Sequence, residues 1–247
     1  YKKGHYLPEA TTLVVAGKIN EKKVLNEVKK VFSKISYDKK AQKLKTKEIQ
    51  KKPQALVSFK KTDQTHFVLG IRSYNLFNKK NATLAVLAGI LGGGMSSRLF
   101  QKLREEMGVG YYVRAYDDIS TDHGVFQASA GVDNKRVKEV VKAILGEFKK
   151  LKTELVSGEE LKKVKDYLVG NMYLELESSD ELANFYGMQE VLKKSEVSPQ
   201  EFAKKLRSVT PVQIKRVANQ IFVGKGLNLA LIGPFKEEKQ FKEIFKL

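Results

Sequence analysis

Apolar residues in this chain occur either in short runs or in stripes with helical spacing. Short runs rich in β-branched and aromatic side chains predict strands, whereas apolar residues three and four positions apart predict helices with one buried face. The runs lie at 11–17, 55–60, 65–74, 111–116, 124–132 and 227–233. The stripes lie at 20–35, 81–91, 98–107, 134–151, 182–192 and 236–245, and further helices are predicted to start at Ser157, Ser198 and Thr210.

The order of these elements predicts the fold class. Residues 124–132 alternate between apolar and other side chains, which is typical of a strand with one buried face. The turn-rich residues 117–123 precede it, so it is predicted to be the antiparallel partner of the strand at 111–116. Helices dominate the sequence that follows. We therefore expect an α+β fold in which an antiparallel or mixed sheet packs against helices.

A pattern found near the start of the chain returns at its end. The strand and helix at 227–245 repeat the strand and helix at 11–35, with Gly17 aligned on Gly233 at an offset of 216 residues. This repeat predicts that residues 1–35 are the tail of a preceding homologous domain, 36–53 a Lys-rich linker closed by Pro53, and 54–247 the carboxy-terminal domain. Two unrelated strand–helix units would produce the same pattern, because short apolar runs are degenerate.

The net charge of +18 raises the possibility of a nucleic-acid-binding module. Much of this charge is concentrated between Lys18 and Lys61, where fifteen lysines and no arginine face four acidic residues. The segment offers few aromatic rings for base stacking and no guanidinium for bidentate contacts. A solvated linker therefore explains it better than a nucleic-acid interface.

Composition also bears on redox chemistry and on location. The chain contains no cysteine, which excludes disulfides, thiolate metal sites and a cysteine nucleophile. It has no apolar run long enough to span a bilayer, and its first residues lack the features of a signal peptide. From these features we expect a cytoplasmic protein without a membrane partner.

One long passage resembles a known family signature. Residues 91–112, LGGGMSSRLFQKLREEMGVGYY, closely resemble a signature of the pitrilysin/insulinase zinc metallopeptidases and the related mitochondrial processing peptidases. Residues 6–17, YLPEATTLVVAG, resemble the family's entry into the last strand of a domain. The resemblance implies two homologous α+β halves of the LuxS/processing-peptidase type, joined by a linker and facing each other around a peptide. This chain would be the carboxy-terminal half, with the Lys-rich stretch as hinge.

The resemblance also implies where zinc is bound. In this family the first half holds zinc through an inverted His-x-x-Glu-His motif, whose glutamate acts as general base on the zinc-bound water. The histidines of this chain, His5, His66 and His123, have no companion at the helical spacing that lets two imidazoles share a metal. We expect neither a zinc site nor a catalytic base here, and zinc in a partner half.

The residues that the second half contributes in the family are an arginine and, seven positions later, a tyrosine. Arg104 and Tyr111 match that spacing and are the candidate substrate-binding residues. A guanidinium and a phenol can hydrogen-bond the oxygen of a peptide carbonyl as it gains negative charge. The alternative is a surface arginine paired with a nearby acid and a half-buried strand tyrosine. Tyr112 is second to Tyr111, since neighbouring strand residues face opposite ways.

Glycines 92–94 precede the candidate helix and resemble a phosphate-binding turn only superficially. No Gly-Lys-Ser/Thr follows them, and Ser97 stands where a dinucleotide pattern requires glycine. A tight turn that frees the next helix to present Arg104 explains them more simply.

Three hypotheses about function follow. The first is a substrate-binding half of a zinc metalloendopeptidase, active only with a zinc-bearing half in the same precursor or in a partner subunit. The second is a catalytically inactive structural subunit of the processing-peptidase kind, with a homodimer as one possible assembly. The third is a basic nucleic-acid-binding module. Retention of Arg104 and Tyr111 favours the first.

Overall fold

The computed structural model describes residues 2–33, 43–193 and 196–245. Its centre is a five-stranded mixed sheet in the order β1-β5-β2-β4-β3. Strand β1 runs parallel to β5, and the other neighbouring pairs are antiparallel. The strands are β1 Gln54–Phe59, β2 Gln64–Arg72, β3 Tyr112–Ile119, β4 Gly124–Asp133 and β5 Leu227–Gly233. The predicted α+β class with a mixed sheet is therefore confirmed.

Helices account for most of the remaining described residues. They are α1 Lys2–His5, α2 Glu21–Phe32, α3 Asn81–Gly92, α4 Arg98–Phe100, α5 Val137–Thr153, α6 Gly158–Glu175, α7 Ser179–Lys193, α8 Pro199–Arg207, α9 Pro211–Ile221 and α10 Lys239–Lys242. Several start where the sequence predicts a cap: Thr210 and Gln213 form a reciprocal capping box at α9. No helix in the described part of the chain combines the length and apolarity needed to cross a bilayer.

Contacts between residues divide the chain into two compact units. One comprises residues 1–46 and 171–201, and the other comprises 47–170 and 202–247. The second unit contains the sheet, whose covered face packs on helices α3 and α5, and α9 packs on these two helices. Its core includes Phe126, Phe148 and Phe222, and the last two rings are stacked with centroids 4.1 Å apart. Burial of these large rings supplies much of the driving force for this unit.

The first unit contains a difference from the sequence prediction. Residues 11–16 belong to no strand, and Leu13 and Val15 are exposed. Helix α2 forms as predicted, with the Asn20 side chain accepting a hydrogen bond from the Lys23 amide, but none of its residues is buried. The strand predicted at 11–17 is therefore not formed in the described part of the chain, because a strand needs a neighbouring strand to pair with.

Other boundaries differ in smaller ways. The helix predicted at 98–107 is α-helical only over α4 and continues as a π-helical turn, Gln101–Glu106. The helix predicted at 236–245 shortens to the four residues of α10. Of the predicted linker, residues 36–42 lie outside the described residues, while 43–53 contain neither helix nor strand.

Candidate functional site

The candidate residues lie on one segment that runs from α4 into β3. Leu99 and Leu103 are fully buried and lie four residues apart, so they fix the inner face of this helical segment. Arg104 follows Leu103 on the exposed side. The π-helical turn is defined by bonds such as that from the Met107 amide to the Lys102 carbonyl, 3.1 Å. Such turns occur frequently at functional sites.

The guanidinium of Arg104 binds the main chain of the loop before β3. Its Nη1 donates to the carbonyl oxygens of Gly110 at 3.0 Å and Tyr111 at 2.8 Å. It also lies 5.7 Å from the ring centroid of Phe100. Within the described residues no acceptor engages Nη2 or Nε. The alternative of an arginine paired with a neighbouring acid is therefore not what the structure shows.

Tyr111 is held by its backbone and leaves its side chain exposed. Gly110 has a positive φ of 93°, which permits the chain to turn towards the sheet at this position. The Tyr111 amide then donates to the Gly131 carbonyl at 2.8 Å, one residue before β3 begins. The Tyr111 side chain is 59% exposed, and no described residue contacts its hydroxyl by a hydrogen bond. The structure thus brings Arg104 and Tyr111 together.

Tyr112 points to the open face of the sheet and pairs with His66. The two rings are stacked with centroids 5.8 Å apart, and the tyrosine hydroxyl lies 3.3 Å from Nδ1 of the histidine. Both rings lie over Gly131, where an added Cβ would approach Tyr112 to 2.6 Å. Sequence reasoning missed His66 as a member of this site. The signal in the sequence was Gly131 within a predicted strand, because a glycine there often marks a place where another group lies close to the backbone.

The open face of the sheet continues away from this corner. Strand pairing places Tyr112, Gly131, His66 and Ile232 side by side across four strands. The same face carries further exposed side chains, among them Tyr116 and Leu56. An exposed face with aromatic and aliphatic side chains offers both apolar contact and hydrogen bonding to an extended peptide.

The beginning of the segment is fixed by a partly buried ion-pair network. Arg98 donates from Nε and Nη2 to the two carboxylate oxygens of Glu160, at 2.7 and 2.8 Å. Glu147, which is 5% exposed, lies 4.0 Å from Arg98 and accepts from Lys150 at 2.7 Å. The bond to Glu160 raises the pKa of Arg98, while burial opposes this. Arg98 therefore ties α4 to α5 and α6.

A second arginine holds the segment further along. Arg136 donates from Nη1 to the Met107 carbonyl at 3.0 Å, and its other nitrogens bind Glu139 at 2.8 Å. The segment is thus fixed at its start, near Met107 and at its end by three different arginines.

The donors for a metal are not assembled here. Across residues 2–33, 43–193 and 196–245, no three histidine or acidic side chains are arranged to hold an ion. His66 contacts Tyr112, and His123 lies 3.0 Å from the Asp122 carboxylate. The described residues do not fit a zinc ion.

Comparison with known proteins identifies relatives. Residues 1–168 match the model of the peptidase M16 inactive domain. An uncharacterized zinc protease of Streptomyces coelicolor is 30% identical over 97% of this chain and 53% of its own length. An uncharacterized zinc protease of Bacillus subtilis is 29% identical over 95% of this chain and 56% of its own length. A protease from Helicobacter pylori has the same fold, with a TM-score of 0.81 at 24% identity over 89% of this chain and 54% of its own.

These matches confirm the resemblance to the pitrilysin/insulinase-type metallopeptidases. The chain spans about half the length of the curated relatives it matches.

Proposed function

Because the chain belongs to the M16 peptidase family, as an inactive domain, we propose that it is the substrate-binding, non-zinc half of a zinc-dependent metalloendopeptidase. One observation carries the proposal: Arg104 holds the main chain at Tyr111, so that a phenol hydroxyl and unengaged guanidinium donors are exposed at one corner of the sheet, where β3 begins. Zinc and the general base would come from a zinc-bearing half, in the same precursor or in a partner subunit.

The chemical role of this corner is to bind and orient the peptide. When water attacks a peptide carbonyl, its oxygen gains negative charge, and preorganised donors lower the energy of that state. The hydroxyl of Tyr111 and the Nη2 and Nε donors of Arg104 are suited to this oxygen or to the adjacent main chain. Because hydrogen bonds to the main chain already hold Arg104 and Tyr111 in place, these residues need little rearrangement when the peptide binds.

The domain boundaries belong to the same proposal. Residues 1–35 would be the tail of the zinc-bearing half, 36–53 the linker, and 54–247 the substrate-binding domain. Two observations support this division. Leu13, Val15 and Phe32 are exposed although they belong to an apolar strand-like run and an apolar helix stripe. Residues 227–233, which repeat the pattern of residues 11–17, do form a strand, β5, because β1 and β2 lie on either side of it.

Tyr111→Phe tests the role of the hydroxyl. In the enzyme reconstituted with its zinc-bearing half, we expect kcat to fall about a hundredfold, since one transition-state hydrogen bond is removed. Tyr173→Phe is the matched control, because Tyr173 is also exposed but lies on helix α6 rather than on the sheet. Peptide hydrolysis, zinc content and circular dichroism are measured for both. Unchanged turnover in Tyr111→Phe removes the proposed role.

A structural subunit is the second candidate function, and one observation favours it. The Nη1 of Arg104 already serves its own loop, which is a structural task. If Arg104→Gln lowers only the stability of the chain and leaves peptide hydrolysis by the assembly unchanged, the structural role is supported and the substrate-binding role is rejected.

A further inference from the structure

A groove of about 900 Å³ lies where the Lys-rich segment meets the sheet. Gln50 connects the two. Its Nε2 lies 3.1 to 3.2 Å from the carbonyl oxygens of Lys52, Lys225 and Leu227, and its Oε1 accepts from Asn228 at 3.0 Å. The side chain of Gln50 therefore holds the segment against the start of β5, which places the lysines of the segment near Lys225, in the turn before β5, and near Arg72 of β2.

The groove is strongly positive. Five cationic side chains line it, namely Lys47, Lys51, Lys52, Arg72 and Lys225. The lining carboxylate is Glu48, which lies 3.4 Å from Arg72. The four lysines form no ion pair within the described part of the chain. Holding like charges together costs free energy in the unbound protein, and an anionic ligand would relieve that cost.

The rest of the lining indicates which anion fits. Ile71, Ile221 and Val223 contribute apolar surface, and Ile49 is 85% exposed beside them. No aromatic ring lines the groove, so nucleotide bases have nothing on which to stack. A single arginine is available for bidentate contacts. Aliphatic and cationic surface together fit a peptide with both acidic and aliphatic side chains better than a nucleic acid.

The position of the groove relates it to the candidate site. Arg72 lies on the open face of the sheet at the far end of β2 from His66, six positions along the strand. At the rise of a strand this is about 20 Å, which an extended peptide spans with roughly six residues. His66 is joined to the Tyr111 corner through Gly131 and Tyr112, which lie beside it on β4 and β3. A peptide running along β2 from His66 would therefore place a later segment in the groove.

We propose that this groove binds an acidic segment of a peptide substrate, about six residues from the cleaved bond along an extended chain. The identification of the bound peptide as a substrate rests on the proposed function. Binding of an acidic peptide to the groove is nevertheless measurable in this chain alone, so the two can fail separately.

The test is fluorescence anisotropy with a short fluorescein-labelled peptide of glutamate and leucine, and with its glutamine counterpart. The triple variant K47Q/K51Q/K52Q removes three charges from the groove. The triple variant K138Q/K142Q/K149Q is the matched control, because it removes the same charge from lysines lining a separate cavity on α5. We expect the groove variant to bind the acidic peptide roughly tenfold more weakly, and the control to bind it as the wild type does.

Several results would overturn the inference. Equal weakening in the two triple variants would show that net charge alone attracts the peptide. Equal binding of the glutamine peptide would show that charge is not recognised. Single-stranded RNA that binds more tightly than the peptide and is lost in the groove variant alone would identify a nucleic-acid site instead. Circular dichroism confirms that both variants are folded.

Discussion

Gly131 illustrates how single residues prepare the candidate site. An added Cβ would lie 2.6 Å from Tyr112 Cε1 and 3.0 Å from His66 Nδ1, so the stacked rings require a glycine beneath them. The spacing of Arg104 and Tyr111 was visible in the sequence, whereas the His66–Tyr112 pair was not. Cross-strand neighbours depend on register, which a sequence pattern does not fix.

Gly131→Ala is predicted to displace the two rings and to destabilise the protein by about 1 kcal/mol, as overpacking does. Gly146→Ala is the matched control, because Gly146 is exposed on α5 and, apart from the backbone of its own helix, no described atom lies within 4 Å of the added methyl. A helical Gly→Ala change should stabilise by about 0.5–1 kcal/mol. Urea unfolding and the His66 ring resonances measure both variants. Unaltered His66 resonances in Gly131→Ala would contradict the packing described.

Asp117 makes stability depend on pH. It lies on the covered face of β3, the same face as Ala115 two residues earlier. Its neighbour across the strand pair is Phe126, which is fully buried. Burial raises the pKa of its carboxyl, and the charge of Asp118 adds to this. The folded protein therefore holds this proton more tightly than the unfolded chain. The stability gained is present below the unfolded pKa and is lost as pH rises through the folded pKa.

Asp117→Asn removes that pH dependence. We expect the variant to have a higher urea midpoint than wild type at neutral pH, with the difference shrinking as the pH is lowered towards about 3. Asp63→Asn, at an exposed carboxyl, serves as the control. A difference between Asp117→Asn and wild type that is the same at every pH would refute the explanation.

At the scale of elements, the segment from α4 to β3 is positioned by its anchors. The apolar spacing of Leu99, Leu103 and Met107 correctly predicts a helix, but not that its second part is a π-helical turn. That geometry depends on where Arg98 and Arg136 hold the segment, and on the loop bonds of Arg104. The residues that these arginines join lie on different elements of the fold, so the apolar spacing within the segment does not reveal them.

Arg98→Met is predicted to lower the free energy of unfolding by about 3 kcal/mol, because it leaves the buried Glu147 and the half-buried Glu160 without their arginine. Arg98→Lys should restore part of this, since it keeps the charge but loses the bidentate bond. Arg136→Met, at an exposed pair, should have a smaller effect. Equal urea midpoints for Arg98→Met and wild type would contradict the anchoring role.

The strand predicted at 11–17 shows the limit of prediction at this scale. Its apolar run matches that of β5, and β5 is a strand because β1 and β2 pair with it. Residues 11–16 have no such partners in the described part of the chain, and they form no strand. A strand is a property of a sheet, so the sequence pattern alone predicts only the tendency to form one.

At the scale of the whole molecule, the fold follows from the sequence pattern, whereas the proposed function depends on a zinc-bearing half. The mixed sheet with helices on one face was predictable from alternation, stripes and caps. The assembly with a zinc-bearing half was implied by family resemblance and by the repeat at an offset of 216 residues. The groove beside the Lys-rich segment was not predictable, since it depends on the hydrogen bonds of Gln50.

We propose that this chain supplies substrate binding and depends on another half for zinc. The most direct measurement is peptide hydrolysis, with zinc determined by elemental analysis, for this chain alone, for its zinc-bearing half alone and for the two together. We expect hydrolysis only by the two together, with zinc in the zinc-bearing half. Hydrolysis by this chain alone, or a tightly held equivalent of zinc in it after dialysis, would refute the proposed division of roles.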